Sequence, residues 1–179
     1  HSPPLDHVME KILPVVDPSG SDSAMLDNAL EFLLYSGMDL PKAVMLTIPE
    51  PWSNNRNMDQ KKKDFYQYYA TMLEPWDGPA SILFSDGDVM GAVVDRNGLR
   101  PSRYYITDDG RLILSSEVGV LDIPQEHVIR KDRLRPGKML LVDTVKGELV
   151  DDEHLKAEYA SRQPYGEWLD RNLVNLSVL

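Results

Sequence analysis

Short runs of apolar, β-rich residues separated by polar turn residues fill the middle of the chain, and this pattern predicts antiparallel β-structure. Two β-rich runs, 80–85 and 89–95, flank Asp86-Gly87, and a two-residue Asp-Gly turn between such runs indicates a hairpin. The runs 103–107 and 111–115 are joined by a similar acidic turn that contains glycine. The sequence therefore predicts an antiparallel meander of four strands, with an apolar face that another layer must cover.

Helical periodicity precedes and follows this meander. A helix is predicted over 24–36, where leucines recur at helical spacing on one side, with Ser21 or Asp22 as its N-cap. Further helices are predicted over 5–13 and 40–47, from Asp59 onward and after Asp151, and further strands over 127–130, 138–143 and 148–150. The lysines at 61–63 are interpreted as the solvated face of the helix that Asp59 begins. Helices and antiparallel strands in separate parts of the chain indicate an α+β fold.

Composition and charge narrow the class of protein. At 179 residues, with 42% hydrophobic and 27% charged residues, the chain is expected to form a single domain over 1–179. Its net charge of −10 argues against a nucleic-acid partner, because binding to phosphates needs a basic surface. The absence of cysteine excludes disulfides and thiol nucleophiles from these residues and favours a cytoplasmic location. No apolar run reaches the length of a membrane span, so no membrane partner is expected.

Familiar catalytic and metal-binding spacings do not occur. An EF-hand loop beginning at Asp86 would need an oxygen ligand where Met90 stands and a glutamate where Asn97 stands. Turn chemistry therefore explains the acidic residues of this region better than calcium binding does. The four histidines are scattered without the spacing of a metal site, and no P-loop or Gly-x-Ser-x-Gly elbow occurs. Spacing alone thus predicts neither a metal site nor a catalytic residue.

Two polar stretches are candidate sites. In Gly20-Ser21-Asp22-Ser23, a carboxylate stands at the start of a helix, among backbone N–H groups that lack helical partners; the alternative is an ordinary capping residue. The loop Arg96-Asn97-Gly98-Leu99-Arg100-Pro101 concentrates polar groups between two hairpins. The alternative interpretation is that this loop is only a turn with special backbone requirements, because Asn-Gly accepts a positive φ and proline favours an extended conformation for the residue before it.

Five motifs occur in one order, and together they resemble the glutaminase domain of the large subunit of glutamate synthase. They are Gly20-Ser21-Asp22-Ser23, Glu74-Pro75-Trp76-Asp77-Gly78-Pro79-Ala80, Asp95-Arg96-Asn97-Gly98-Leu99-Arg100-Pro101-Ser102-Arg103-Tyr104, Ser115-Ser116-Glu117-Val118-Gly119 and Pro164-Tyr165-Gly166-Glu167-Trp168. The resemblance extends over nearly the whole chain. The third and fourth motifs resemble those of class II glutamine amidotransferases in general, whereas Glu-Pro-Trp-Asp-Gly-Pro points to glutamate synthase.

The resemblance implies a fold, an activity and a set of cofactors. The fold is the N-terminal-nucleophile hydrolase sandwich, in which two antiparallel sheets stack between helical layers in the order αββα. The activity is hydrolysis of glutamine to glutamate and ammonia, which a tunnel carries to a second site. There 2-oxoglutarate is aminated reductively with FMN and an iron–sulfur cluster. Neither cofactor is expected to bind this chain, and the implied partners are glutamine and the remaining domains of glutamate synthase.

The sequence departs from the family at its nucleophile. In the family the nucleophile is the thiol of an N-terminal cysteine, but position 1 here is histidine and the chain has no cysteine. We therefore expect the carboxyl-terminal part of the domain, with no catalytic residue in this chain and no glutamine hydrolysis by it alone. The resemblance implies that Asp22 receives the α-ammonium of glutamine. It also implies a framework near the active site, formed by Ser21, Arg96, Asn97, Gly98, Arg100, Ser116 and Glu117.

Two other functions fit the same residues. One is a non-catalytic module of this fold that binds an amino acid or a partner surface, and the other is a piece of a different class II amidotransferase. Without the amino-terminal strands of the family's domain, a strand edge would be unpaired, and such edges recruit other chains. We therefore also expect the isolated chain to self-associate.

Overall fold

The structure is a computed structural model that describes residues 11–174. Five α-helices lie within these residues: α1 (Asp22–Tyr35), α2 (Leu40–Thr47), α3 (Gln60–Ala70), α4 (Asp152–Ser161) and α5 (Tyr165–Asn172). Seven strands lie between α3 and α4: β1 (Ser81–Ser85), β2 (Val89–Val94), β3 (Arg103–Thr107), β4 (Leu112–Ser115), β5 (Val128–Arg133), β6 (Met139–Asp143) and β7 (Glu148–Val150). The α+β prediction is confirmed, whereas the helix predicted over 5–13 lies largely outside the described residues.

The strands form two antiparallel sheets rather than one meander. The larger sheet has the order β1-β2-β6-β7 and the smaller one the order β4-β3-β5. The predicted hairpins β1–β2 and β3–β4 are confirmed, and the strands predicted over 138–143 and 148–150 pair with each other as β6 and β7. The predicted continuous meander is wrong, because β2 pairs with β6 and β3 with β5. Asp-Gly turns fix pairing only within a hairpin, and the loop 95–102 leads the chain from one sheet into the other.

Two hydrophobic clusters lie against the larger sheet. All five helices contribute to the first cluster, which also includes Val93, Met139 and Leu141 from the larger sheet. The second cluster joins Ala92, Val94 and Leu140 of that sheet to Tyr104 and Leu134, with partly buried residues of β3 and β4 packed against it. Because successive residues of a strand point to opposite faces, β2 contributes to both clusters. The larger sheet is therefore covered by helices on one face and contacts the smaller sheet on the other.

Candidate functional site

The start of α1 carries the first candidate site. The Ser21 hydroxyl accepts a hydrogen bond from the Ala24 amide at 3.3 Å and lies 3.1 Å from the Ser23 hydroxyl. Ser21 is therefore the N-cap, and Asp22 is the first helical residue. The Asp22 side chain is exposed and has no side-chain hydrogen-bond partner within residues 11–174. Of the two capping residues predicted, the structure assigns that role to Ser21 and leaves the Asp22 carboxylate available to a ligand.

A tight turn before α1 sets the position of Asp22. The Ser19 hydroxyl and the Ser19 amide both donate to Asp17 Oδ1, at 2.7 and 2.9 Å. These bonds hold the pKa of the Asp17 carboxyl below its ordinary value. The Gly20 amide donates to the Asp17 carbonyl at 3.1 Å, and a Cβ on Gly20 would lie only 3.3 Å from that oxygen and from the Ala24 Cβ. Glycine therefore fits where the chain turns into the helix.

An open groove of about 940 Å³ runs between α1 and β1. Its apolar lining comprises Leu26, Leu30, Leu34 and Leu40 together with Ile82, Leu83 and Phe84, and its polar lining includes Asp27 and Glu31. Strand β1 is an edge strand, paired only with β2 among the described strands. The groove thus lies beside a strand edge that no described strand pairs with, and Asp22 stands at the amino-terminal end of the helix that forms one wall.

The Arg96 loop is held by a contact to another motif. Arg96 Nη2 donates to Asp77 Oδ2 at 2.7 Å, which joins the Glu74–Pro79 segment to this loop. Both side chains are more than half exposed, at 53% and 67%, so the pair contributes little to stability. What the ion pair does is join two segments of the chain, and both segments belong to motifs that carry the family resemblance.

Asp95, which begins this loop, is buried with 5% of its surface exposed. Its Oδ1 accepts a hydrogen bond from the Ala80 amide at 3.1 Å, and its Oδ2 accepts one from the Asn97 amide at 3.0 Å. In the same way, Asp86 Oδ1 accepts from the Asp88 and Val89 amides at 3.0 and 2.9 Å. The interpretation of these acids as turn residues is confirmed.

Gly98 is required by the shape of the loop. Its φ is +62°, and a Cβ at this position would lie 2.4 Å from Pro136 Cγ. The loop therefore packs directly onto the segment that follows β5, where the Leu134 amide also donates to the Ser102 carbonyl at 2.8 Å. This geometry supports the interpretation of residues 96–101 as a turn with special backbone requirements. Arg100 is exposed in it, with no ion-pair partner within residues 11–174.

Ser116 and Glu117 follow β4 at the end of the smaller sheet. Both are exposed, and the Ser115 hydroxyl donates to the Glu117 carbonyl at 2.6 Å. Ser115 is the cross-strand partner of Arg103. The structure thus brings the Arg96 loop to Asp77 and the Ser116-Glu117 motif to the smaller sheet. No hydrogen bond or ion pair among the described residues joins either of them to Asp22.

A partly buried group of charges was not predicted. We call it the ion cluster, and its members are Glu50, Lys62, Lys138, Asp152, Glu153 and Lys156. Only 8% of the Lys62 surface is exposed, so the prediction that it belongs to a solvated face is wrong. Lys62 lies three and four residues before the buried Phe65 and Tyr66, and this helical spacing is the signal that could have identified it.

The ion cluster connects two helices to the start of β6. Lys156 Nζ lies 2.9 Å from Asp152 Oδ1 and 3.3 Å from Glu50 Oε1, and it donates to the Gly137 carbonyl at 2.5 Å. Lys62 Nζ lies 3.1 Å from Glu153 Oε2. The Asp152 Oδ1 atom also accepts a hydrogen bond from the Met139 amide at 2.9 Å. Opposite charges therefore face one another, with Glu50, Lys62, Asp152 and Lys156 largely removed from water and Lys138 and Glu153 at the exposed side of the cluster.

The ion cluster also shifts neighbouring pKa values. A hydrogen bond from Lys138 is the main cause that lowers the pKa of Glu153 to about 2. Tyr66 donates to Glu50 Oε1 at 2.9 Å, and burial, reinforced by the Glu50 charge, raises the pKa of Tyr66 well above its ordinary value. Asp152 Oδ2 is buried without a hydrogen bond, although Lys138 Nζ lies 3.4 Å away. No hydrogen bond or ion pair within residues 11–174 joins these groups to the candidate residues at 20–23 or 95–101.

Comparison with known proteins decides the family. A sequence profile described as "Glutamine amidotransferases class-II" matches residues 1–168. The chain belongs to the class II glutamine amidotransferases. This amidotransferase chain is 48% identical over 169 residues to the glutamate synthase (NADPH) large chain of Bacillus subtilis, an alignment that covers 94% of this chain and 11% of that protein.

Relatives from eukaryotes give the same result. The amidotransferase chain is 49% identical over 169 residues to glutamate synthase (NADH) of Schizosaccharomyces pombe, covering 94% of this chain and 8% of that protein. It is 45% identical over 168 residues to ferredoxin-dependent glutamate synthase 2, chloroplastic, of Arabidopsis thaliana, covering 92% and 10%. The resemblance stated from the motifs is confirmed. The chain spans about a tenth of the length of these relatives.

Two further findings concern metals and membranes. Within residues 11–174, no group of three or more histidine, aspartate or glutamate side chains is arranged to hold a metal ion. In the same residues, no helix of the amidotransferase chain combines the length and the apolar character that crossing a membrane requires.

Proposed function

We propose that this chain is the carboxyl-terminal part of the glutamine-hydrolysing domain of a glutamate synthase. The observation that carries the proposal is the identity of 45–49% over more than nine-tenths of the chain to glutamate synthases of a bacterium, a yeast and a plant. The absence of cysteine supports the placement, because the family's nucleophile is a cysteine. We further propose that all 179 residues belong to one N-terminal-nucleophile domain with the layer order αββα; the presence of two antiparallel sheets supports this proposal.

Asp22 is proposed to receive the α-ammonium of glutamine. Three observations support this role: the carboxylate is exposed, Ser21 already caps the helix, and the turn at 17–20 fixes the position of the helix start. A carboxylate that accepts from an ammonium makes charge-assisted hydrogen bonds. Ser21, the loop at 96–101 and Ser116-Glu117 serve as framework around the site.

The complete protein is proposed to make glutamate from glutamine and 2-oxoglutarate in the cytoplasm. FMN and an iron–sulfur cluster would supply the electron transfer of that reaction. Iron–sulfur clusters are held mainly by cysteine thiolates, and these residues offer none, so the cluster does not fit this chain. Its proposed contribution is limited to binding glutamine together with the rest of the amidotransferase domain.

We expect the isolated chain to release no ammonia from glutamine, because covalent catalysis needs an activated nucleophile. Purified chain is incubated with glutamine, and ammonia is measured by an enzyme-coupled assay, with the full-length protein as the positive control. Ammonia release that rises in proportion to the amount of isolated chain would contradict the proposed absence of the nucleophile.

The isolated chain is also expected to self-associate through the edge of β1, which no other strand among residues 11–174 covers. Strand β1 reads Ser-Ile-Leu-Phe-Ser without a charge or a proline, so it lacks the usual protection of an edge strand, and 67% of Leu83 is exposed. Light scattering should show dimers or larger species that Leu83→Lys converts to monomer. Leu99→Lys, at a loop leucine that is 65% exposed, is the control. A monomer at all concentrations would instead favour a self-sufficient binding module.

A further inference from the structure

Asp77 and Gly78 make a contact that sets them apart from the similar dipeptides of the chain. Aspartate precedes glycine at 77–78, 86–87 and 109–110, and asparagine precedes glycine at 97–98. The Gly78 amide donates a hydrogen bond to Asp77 Oδ1 at 3.0 Å. Because Oδ1 is bonded to Cγ, the Gly78 nitrogen lies beside the carboxyl carbon of the preceding residue. Holding two reactive groups together in this way accelerates a reaction between them.

The backbone at this contact carries few constraints. Asp77 and Gly78 lie between α3 and β1, outside any helix or strand, and both are exposed. The Gly78 amide donates to no backbone carbonyl of residues 11–174. Gly78 has a φ of +122°, and a Cβ added there would meet no atom within 4 Å. Neither secondary structure nor packing at Gly78 therefore opposes the small rotation that would close a ring between the two residues.

In the other two Asp-Gly dipeptides, the glycine amide is turned to a different acceptor. The Gly87 amide donates to the Ser85 hydroxyl at 3.2 Å, and the Gly110 amide donates to the Thr107 carbonyl at 3.0 Å. Both dipeptides also lie in the turns of the hairpins β1–β2 and β3–β4, where paired strands fix the backbone on either side. Their geometry therefore opposes the same ring closure.

The Asn97-Gly98 dipeptide is constrained as well. Its Gly98 amide donates to the Asp95 carbonyl at 2.9 Å. A Cβ at Gly98 would lie 2.4 Å from Pro136 Cγ, so the backbone here is packed against a neighbouring segment. Among these four dipeptides, all within residues 11–174, only Asp77-Gly78 joins an exposed backbone to an amide that contacts the preceding side chain.

We infer that Asp77-Gly78 is a site of spontaneous isoaspartate formation. The Gly78 nitrogen loses its proton and attacks Cγ of Asp77, so that an N–Cγ bond forms and a five-membered succinimide closes. One carboxyl oxygen leaves as water, with the proton of the carboxyl group and the proton that the amide lost. Water then adds to the main-chain carbonyl of residue 77 and breaks the bond from that carbonyl to nitrogen. The atoms balance without an oxidant or a reductant, and the mass of the chain is unchanged.

This modification changes the contact that joins two motifs. Arg96 Nη2 donates to Asp77 Oδ2 at 2.7 Å, and the pair leaves Oδ1 turned toward the Gly78 amide. In isoaspartate the main chain runs through Cβ and Cγ, and the remaining carboxylate is attached directly to Cα. The main chain is thereby one atom longer and the carboxylate is displaced from Arg96. Isoaspartate at this position therefore separates the segment before β1 from the Arg96 loop.

Peptide mapping of the full-length protein tests the inference. The folded protein is kept at neutral pH for several weeks and digested, and isoaspartate is measured with isoaspartate O-methyltransferase and mass spectrometry. Isoaspartate at 77 should exceed that at 86 and at 109 by roughly tenfold or more, because the three dipeptides share their chemistry and differ in geometry. In urea, where that geometry is lost, the excess should disappear. Equal amounts at the three positions of the folded protein, or the same excess in urea, would overturn the inference.

Asp77→Asn allows a second comparison, because positions 77 and 97 then carry the same Asn-Gly dipeptide. Ring closure now releases ammonia in place of water, and hydrolysis leaves an acid, which increases the mass. Deamidation should be roughly tenfold faster at 77 than at 97, and a faster reaction at 97 would contradict the inference. The control is Asp77→Glu, whose longer side chain would need a six-membered ring and should yield no isomer at this position. None of these measurements depends on glutamine hydrolysis.

Discussion

Replacement of Lys156 by methionine should lower the free energy of unfolding by about 3–5 kcal/mol, the usual cost of removing one partner from a buried ion pair. Only 4% of the Lys156 surface is exposed. Its ammonium lies 2.9 Å from Asp152 and 3.3 Å from Glu50, and the variant would leave both carboxylates with less compensating charge. The lost hydrogen bond to the Gly137 carbonyl adds to the penalty, because that oxygen loses its donor.

Urea denaturation of the parent chain and the Lys156→Met variant measures this difference. Lys146→Met is the matched control, because Lys146 also pairs with an aspartate, Asp143 at 3.2 Å, but is 68% exposed. Exposed pairs of this kind contribute about 0–1 kcal/mol, so the control should unfold near the parent midpoint. If both variants lose the same small amount, the ion cluster does not contribute to stability as its burial suggests.

The sequence predicted the local elements well and the long-range pairing poorly. The hairpins follow from turn residues that act over a few positions, such as Asp86-Gly87, and the structure contains them. The pairing of β2 with β6 places Val93 opposite Met139, residues that are far apart in the chain. No turn residue encodes such a contact, because it depends on which apolar faces are buried together. The division into two sheets therefore could not be read from the turns.

The ion cluster shows a different limit of sequence analysis. Three consecutive lysines at 61–63 suggest a solvated surface, yet consecutive helical residues point about 100° apart and share no face. Lys62 lies on the same side of its helix as Phe65 and Tyr66. There its ion-pair partners are Glu50 and a residue of α4, Glu153. Those partners are distant in the sequence, so the residues around Lys62 do not reveal the compensating charges that make its burial tolerable. Helical spacing alone would have marked Lys62 as a residue to examine.

The candidate site was predictable in its residue types but not in its geometry. Ser21 and Asp22 are adjacent and both are good caps, so only the backbone at the helix start distinguishes the two roles. Turn chemistry accounts for the acidic residues of the hairpin region, but the burial of Asp95 depends on the distant Ala80 amide. No cysteine nucleophile occurs among the 179 residues.

In the full-length protein, Asp22→Asn should raise the KM for glutamine by about ten- to a hundredfold. The charge-assisted hydrogen bonds of the α-ammonium contribute roughly 1.5–3 kcal/mol each, and about 1.4 kcal/mol corresponds to a tenfold change. Asparagine keeps the shape and one acceptor oxygen but removes the charge. The α-ammonium is remote from the scissile amide, so its binding should be equal in the ground state and the transition state. The turnover number kcat should therefore fall much less than kcat/KM.

Two controls separate this role from a structural one. Asp170→Asn changes an exposed acid of α5 that lies outside the groove beside Asp22, and it should leave the KM for glutamine unchanged. Glutamate synthesis from free ammonia should hardly respond to Asp22→Asn, because that route bypasses the glutamine pocket. Since Ser21 is the cap, the substitution at Asp22 removes only a favourable interaction with the helix dipole, about 0.3–1 kcal/mol of stability. An unaltered KM together with a slightly lower melting temperature would show that Asp22 stabilises the helix start and does not bind substrate.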